Sequence, residues 1–111
     1  MSSDRELLER AAHAAGYEVN AQCQAERDAL IDPATASLWI NKINTAWNSL
    51  KHGEDTLRLE IDLRMTSAWE PMRSTWRIGA IVNGEFRWLA EHEDRLRATT
   101  LAAASIGGAL S

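Results

Sequence analysis

The feature that most constrains this fold is a pair of strand-like runs joined by Asn83-Gly84. Residues 75–82 (TWRIGAIV) and 85–89 (EFRWL) are rich in β-branched and aromatic side chains. Asn-Gly is the dipeptide that best suits a type I′ turn, because both of its residues tolerate positive φ. The sequence therefore predicts a β-hairpin. Alternation groups Trp76, Ile78, Ala80 and Val82 on one face of the first strand, and Phe86 with Trp88 on one face of the second.

Helical patterns lie at both ends of the chain. Ser3 and Glu6 have the spacing of a capping box, and Gly16 provides a stop after apolar residues at helical spacing. A second helix is predicted to begin near Glu91 and to end at Gly107-Gly108. The chain of 111 residues has the length of one domain. We predict a single α+β domain over residues 1–111, with a small antiparallel sheet packed by N- and C-terminal helices.

The residues between these elements give weaker signals. From Tyr17 to Ala25 apolar and polar residues alternate, which predicts a solvent-faced strand. Residues 26–36, which include Asp32-Pro33, are predicted to form a loop. Ser37–Ile40 is predicted to be a short strand, and residues 41–52 are predicted to be mostly irregular.

Residues 57–65 carry two contradictory signals. Apolar side chains stand at every second position, as in a half-buried strand. Most of the residue types are helix formers, however, and Gly53-Glu54-Asp55 has the acidic character of a helix entry. A strand would add an antiparallel neighbour to the hairpin. A helix would place Leu57, Ile61 and Met65 on one side and Leu59 with Leu63 nearly opposite, so it would need cover on both sides.

Composition and charge exclude several classes of protein. No apolar run approaches the ~20 residues of a membrane-spanning helix, and the acidic start does not resemble a secretory signal. A net charge of −4 disfavours duplex nucleic acid, whose binding relies on many Lys and Arg contacts to phosphate. The single cysteine fits a reducing compartment. We expect a cytoplasmic protein with neither membrane nor duplex partners.

Motifs for catalysis or metal binding do not occur in the sequence. His13, His52 and His92, together with Cys23, lack metal-ligand spacing. The sequence has no phosphate-binding glycine loop and no nucleophile elbow. We therefore predict a non-enzymatic protein without a metal or cofactor.

Tryptophan is unusually frequent, with five Trp against one Tyr and one Phe. Trp can form the aromatic core, or it can line a ligand or partner surface, since its flat apolar ring carries a polar N–H. One candidate binding constellation combines indole faces for stacking with guanidinium groups for phosphate. Its members are Trp69, Arg73, Trp76, Arg77, Arg87 and Trp88. The alternative is that the Arg residues only solubilise the strands.

A second candidate site precedes the central stretch. Trp47 could stack on a flat group while Asn48 exchanges hydrogen bonds with that group, close to Asp55 and Arg58. The alternative is a structural turn, in which Trp47 enters the core, Asn48 bonds its own loop and Asp55 caps the helix. Asp55 and Arg58 could also pair on the helix surface.

The central stretch resembles a motif of small, uncharacterised phage and prophage proteins. Those proteins typically read W-N-P-L, a few polar residues and then G-D-A-L-R-L-A-V-x-L, where this chain has WNSL at residues 47–50 and EDTLRLEIDL at residues 54–63. Ser49 replaces the Pro, Glu54 the Gly and Glu60 an Ala. Residues 6–16 and 96–107 are similar to the first and last helices of the same proteins, which are distantly similar to accessory proteins of the phage nin region (NinX-like proteins).

This resemblance implies a fold and a function. The relatives carry more Ala in the central stretch, which favours a helix from about Glu54 to Met65. The implied function is a phage or prophage accessory protein in a bacterial host cell that binds and neutralises a host factor as counter-defence. A Trp-centred patch should then be exposed, either self-associated or docked on a host protein.

A different function is also consistent with the residues. The Trp and Arg residues of the hairpin and of residues 47–58 could sequester a nucleotide signal, including a cyclic one. One small domain has little interior space, so such a pocket would lie at a homo-oligomer interface.

Overall fold

The computed structural model describes residues 4–32, 37–41 and 45–110. Within them the chain forms an α+β fold, as the sequence predicts. It has four helices and two small antiparallel sheets, where the sequence predicts a single sheet. The elements are α1 (Asp4–Ala14), α2 (Ala21–Leu30), β1 (Leu38–Ile40), β2 (Thr45–Trp47), α3 (Gly53–Asp62), β3 (Thr66–Glu70), β4 (Thr75–Val82), β5 (Glu85–His92) and α4 (Arg95–Leu110). None of these helices combines the length and the apolar character that a bilayer crossing requires.

The predicted hairpin is confirmed. β4 and β5 pair antiparallel around a turn in which Asn83 and Gly84 have φ angles of 54° and 81°. Both residues therefore adopt the positive φ that a type I′ turn requires. β5 continues past the predicted Leu89 and ends at His92.

The larger sheet has the strand order β3-β4-β5 and one irregularity. Ile78 pairs with Ala90 and Gly79 pairs with Trp88, so Leu89 is an extra residue that forms a bulge. Paired residues project to the same face of a sheet, and neighbours along a strand project to opposite faces. Trp88 therefore lies on the face opposite Ile78.

The central stretch is a helix, as the resemblance implies. α3 begins at Gly53, and Arg64, with a φ of 52°, follows its end at Asp62. The expectation that α3 is covered on both sides is wrong. Leu59 is fully buried, whereas Leu57 and Ile61 are 53% and 64% exposed.

The predicted strand from Tyr17 to Ala25 is wrong, because α2 begins at Ala21. The Asn20 side chain caps this helix by accepting a hydrogen bond from the Cys23 backbone N–H at 3.0 Å. Only Val19 makes a strand-like bridge, to Ile40. The loop predicted for residues 26–36 is helical to Leu30, and its residues 33–36 lie outside the described part of the chain.

Three other boundaries differ from the predictions. β2 pairs with β1 within a segment predicted to be irregular, of which residues 42–44 are not described. α4 begins at Arg95 rather than Glu91, because Glu91 belongs to the β5 ladder and the Asp94 carboxylate accepts from the Leu96 N–H at 3.0 Å. α4 also continues through Gly107-Gly108 to Leu110. α1 ends before Gly16 as predicted, whereas Ser3 of the capping box lies outside the described residues.

α4 lies at the centre of the packing. Its Ala98 and Ala102 pack with Ile78 of the sheet, whereas Ala103 packs into a second cluster around Trp47. The other buried members of that cluster are Leu8, Ala11, Ala12, Tyr17, Leu38, Ile40 and Leu59. One helix of small residues therefore separates the sheet from the rest of the core.

Gly107 sets the distance between α1 and α4. A Cβ at this position would lie 2.1 Å from the Arg10 carbonyl oxygen, which is far inside van der Waals contact. The Arg10 oxygen belongs to the α1 backbone and cannot rotate away. The two helices can therefore approach this closely only because residue 107 lacks a side chain.

We predict that Gly107→Ala destabilises the protein despite the better helix propensity of Ala. The new methyl group must push α1 away from α4, and overpacking of this kind costs about 1–3 kcal/mol, more than the ~1 kcal/mol gained from propensity. Urea unfolding measures the change. Gly53→Ala is the matched control, because a Cβ there meets no atom within 4 Å; equal stability of the two variants would contradict the prediction.

Candidate functional site

The sheet β3-β4-β5 is covered on one face only. Ile78 and Ala80 on the inner face are 0% and 1% exposed, beneath α4. On the opposite face, Ile81 is 72%, Phe86 49% and Trp88 42% exposed. We call this second surface the outer sheet face; its members on β4 and β5 include Arg77, Gly79, Ile81, Phe86, Trp88 and Glu91, and β3 adds Thr66, Ala68 and Glu70.

The aromatic pair on the outer sheet face has a fixed geometry. The rings of Phe86 and Trp88 meet edge to face with their centroids 5.0 Å apart. Both rings lie over Gly79, where a Cβ would be 2.6 Å from Phe86 Cζ and 2.9 Å from Trp88 Cε3. The guanidinium of Arg77 stacks on Trp88, with its carbon 4.3 Å from the ring centroid. These contacts hold an exposed aromatic surface in place.

The Glu91 carboxylate contacts three polar side chains at one end of the same face. Its carboxylate lies 3.3 Å from Arg73 Nε and 3.8 Å from Arg77 Nε, and it accepts a hydrogen bond from Thr75 Oγ1 at 2.6 Å. The two guanidinium groups therefore share one carboxylate. Glu70 of β3 pairs with Thr75 and projects to the same face, so this end of the face carries two acidic and two basic side chains.

The other tryptophans of the predicted constellation lie on the inner side of the sheet. Trp69 and Trp76 pair across β3 and β4 with a centroid distance of 5.4 Å. Arg95 stacks on Trp76 at 4.8 Å and pairs with the buried Glu60 at 3.1 Å. Arg87 pairs instead with Glu85 at 3.2 Å. The structure therefore brings Arg73, Arg77 and Trp88 together, and it separates them from Trp69, Trp76 and Arg87.

Arg95 was not among the residues singled out from the sequence. Its contacts join α4, α3 and β3, because it also donates to Ser67 Oγ at 3.1 Å. Nothing in the local sequence marks this role, since its partners Glu60, Ser67 and Trp76 stand 19 to 35 positions away along the chain.

The Trp47-Asn48 segment adopts the arrangement of the structural turn except at Asp55, which does not cap α3: His52 is the N-cap residue, and no side chain caps it. Trp47 is fully buried and packs edge to face on Tyr17 at 5.6 Å. Asn48 Oδ1 accepts from the Leu50 N–H at 3.0 Å, which closes a local turn. The Asp55 carboxylate accepts from the Asn48 N–H at 2.9 Å. The hydrogen bonds of Asn48 and Asp55 therefore stabilise the loop itself, and the ring of Trp47 is part of the core.

Buried hydroxyl groups anchor this loop to α4. Ser49 and Thr100, both fully buried, share a hydrogen bond of 2.7 Å between their hydroxyl oxygens. Thr56 Oγ1 donates to the Ser49 carbonyl at 2.6 Å. These partners satisfy polar groups that would otherwise be costly to bury.

Three cavities lie along α3 in the described part of the chain. One, of about 330 Å³, is lined by Glu54, Leu57, Arg58 and Ile61. A second, of about 430 Å³, lies at the helix start, between residues 46 and 55, and mixes acidic and basic side chains. A third, of about 260 Å³, lies between α3 and the start of α4, where Arg95 and Leu96 contribute to its lining. Among the described residues, no three His, Cys, Asp or Glu side chains are close enough to hold a metal ion.

Comparisons with known proteins give no relative: no family model matches this chain, and no curated protein or solved structure matches it.

Tyr17 gives this core a pH-sensitive contact. Its hydroxyl donates to the Asp62 carboxylate at the end of α3. Burial, and then the hydrogen bond to Asp62, raise the pKa of Tyr17 above its usual value. The folded state therefore favours the neutral phenol. This contribution to stability is complete below the unfolded pKa and is lost as pH rises through the folded pKa.

We predict that Tyr17→Phe removes this alkaline sensitivity. The unfolded phenol ionises near pH 10, so the stability difference between wild type and Tyr17→Phe should fall by about 1.4 kcal/mol from pH 9 to pH 11. Urea unfolding at the two pH values measures it. Tyr17 is the only tyrosine, so near-ultraviolet phenolate absorbance reports its ionisation directly. Titration of folded protein at the ordinary tyrosine pKa would contradict the prediction.

Proposed function

We propose that this chain is a non-enzymatic binding protein that docks a protein partner on its outer sheet face. One observation supports this proposal above the others. Ile81, Phe86 and Trp88 are adjacent on β4 and β5, are 42–72% exposed, and have no helix packed over them in the described ranges. Contiguous exposed apolar residues of this kind mark interaction surfaces.

The chemistry of the residues supports a protein partner. Trp, Tyr and Arg are the residues most enriched at interface hot spots. Trp88 is already held between Phe86 and the Arg77 guanidinium, so little side-chain entropy is lost when a partner covers it. A surface that is ordered before binding spends less of its interaction energy on ordering.

The charges indicate what such a partner presents. Arg73 and Arg77 share the single carboxylate of Glu91, and the side chain of Arg73 is 58% exposed. A complementary surface would place apolar side chains on Ile81, Phe86 and Trp88. It would place carbonyl or carboxylate oxygens beside the two arginines.

In biological terms we propose that the partner is a bacterial host factor and that docking neutralises it. Support for this step comes from the resemblance of residues 47–63 to the motif of small phage and prophage proteins. Under this proposal the motif has a structural role in this chain: Trp47 packs in the core and Asn48 closes the loop, while the outer sheet face provides the contact.

A nucleotide-sequestering function is the second candidate. The observation that favours it is the Arg77–Trp88 stack beside Arg73, which offers a guanidinium and an indole to one ligand. Three observations count against nucleotide sequestering and make protein docking the better-supported function. Both arginines are engaged by Glu91, Trp47 is buried, and Trp69 and Trp76 lie on the other side of the sheet.

We predict that Ile81→Glu strongly weakens partner binding without unfolding the protein. The wild-type side chain is 72% exposed, so the substitution adds a charge to the docking surface while the core stays intact. Immobilised wild type should capture a specific protein from bacterial host lysate. The purified complex should lose at least about 30-fold in affinity in the variant, the effect expected of a hot spot.

Two controls make this test selective. Ile61→Glu is a matched substitution on α3, where the wild-type side chain is 64% exposed, and it should leave capture unchanged. Thermal unfolding with mono-, di- and cyclic nucleotides should show no shift, whereas a ligand at 100 times its Kd would add about 2.7 kcal/mol. Equal capture by Ile81→Glu would overturn the docking proposal, and a shift with one nucleotide would favour the second candidate.

A further inference from the structure

The exposed side of α3 is a second apolar surface, separate from the outer sheet face. Leu57 and Ile61 are one turn apart and are 53% and 64% exposed. Glu54 lies one turn before them and Arg64 directly after the helix, and both are exposed. We call residues 54, 57, 61 and 64 the α3 ridge.

The spacing of the α3 ridge is self-complementary. Residues 54, 57 and 61 lie on one side of α3, and Arg64 follows the end of the helix at the C′ position. When two α3 helices run antiparallel about a two-fold axis, position 57 meets position 61 of the other copy, and the start of each helix lies beside the end of the other. Leu57 then meets Ile61 of the other copy, twice, and Glu54 meets Arg64 of the other copy, twice.

We propose that the chain forms a two-fold dimer through the antiparallel α3 ridges of two copies. The charges favour a second copy as the partner, because Glu54 of each copy then lies opposite Arg64 of the other, with the apolar pair at the centre. Antiparallel α3 helices also oppose their macrodipoles favourably. This dimer uses a surface distinct from the outer sheet face and leaves that face open.

The state of the two charged residues in the monomer supports this arrangement. Neither Glu54 nor Arg64 makes an ion pair within the described part of the chain. Arg58 is also exposed, and it stands one turn from both Glu54 and Asp62 without forming an ion pair with either of them within the described residues. Glu54 and Arg64 therefore have the capacity to pair between copies.

Arg64 occupies a position that a side chain disfavours. The Met65 N–H bonds to the Glu60 carbonyl at 2.8 Å and the Arg64 N–H to the Ile61 carbonyl at 3.1 Å, which is the Schellman arrangement. Its φ is 52°, in the left-handed region where glycine is the usual residue and another side chain is disfavoured. A residue held in such a conformation points to a role for its side chain, which the proposed dimer supplies.

Sedimentation velocity over a range of protein concentrations tests the dimer. The ridge is small, so the dimer belongs with interfaces under about 1,200 Å² and its Kd should be micromolar. Ile61→Glu should give a monomer at every concentration. Ile81→Glu, the matched substitution on the outer sheet face, should leave the Kd unchanged.

A charge swap tests the register. Glu54→Arg and Arg64→Glu should each weaken the dimer by at least about tenfold, because each places like charges opposite one another twice. The double variant restores opposite charges and should recover the wild-type Kd to within a factor of about three. All four residues are exposed, and circular dichroism of each variant confirms that it is folded.

Each other outcome overturns the proposal. A monomeric wild type at millimolar concentration would exclude the dimer. Dissociation by Ile81→Glu but not by Ile61→Glu would place self-association on the outer sheet face. Failure of the double variant to recover the Kd, with both single variants weakened, would exclude the antiparallel register. None of these results depends on the partner proposed above, so the two proposals fail separately.

Discussion

The packing of α4 is the interaction on which the rest of the structure depends. This helix presents small side chains in two directions: Ala98 and Ala102 to the sheet, and Ala103 to the cluster around Trp47. Small residues give little apolar area each, so their contribution comes from close approach of the backbones. At Gly107 the two backbones are so close that a Cβ would clash with the Arg10 carbonyl oxygen.

Polar contacts then fix the position of α4 along its axis. The Ser49–Thr100 hydrogen bond joins the middle of the helix to the loop before α3, and the Arg95–Glu60 pair joins its start to α3. A buried hydrogen bond or ion pair that loses one partner leaves an unsatisfied group, so sliding of α4 is costly. These contacts give a core of small apolar residues a single register.

This arrangement explains why two apolar surfaces stay uncovered. One helix can cover only one face of a three-stranded sheet, and α4 covers the face of Ile78. The inner side of α3 lies in the same core cluster as α4, through Leu59 and Ala103, which leaves Leu57 and Ile61 outside. The proposed partner site and the proposed dimer surface are therefore both consequences of how α4 is used.

The sequence predicts the elements whose signals are local. The hairpin follows from Asn83-Gly84, and α1 from its apolar spacing and Gly16. α2 was missed because alternation from Tyr17 to Ala25 imitates a strand, whereas the decisive contact is a single Asn20 cap. For α3, the resemblance correctly favours a helix. The exposure of Leu57 and Ile61 is not predicted, because it depends on how many layers of the fold cover this helix.

The candidate site was predicted only in part, for the same reason. Arg77 and Trp88 meet because they lie on adjacent strands of a hairpin that the sequence specifies. Trp47 and Trp88 are both candidate binding residues in the sequence, yet one is fully buried and the other is 42% exposed. Only the tertiary packing distinguishes them. The bulge at Leu89 likewise decides which face carries Trp88, and no residue type marks it.

The most direct test of the one-sided sheet is fluorine NMR of protein labelled with 5-fluorotryptophan, assigned by single Trp→Phe variants. Exchange of H2O for D2O shifts the resonance of an indole in proportion to its contact with solvent. The structure predicts five resonances, with large shifts for Trp69 and Trp88 and no shift for Trp47. A Trp88 resonance as insensitive to D2O as that of Trp47, in dilute monomeric protein, would contradict the account, because the outer sheet face would then be covered by the chain itself.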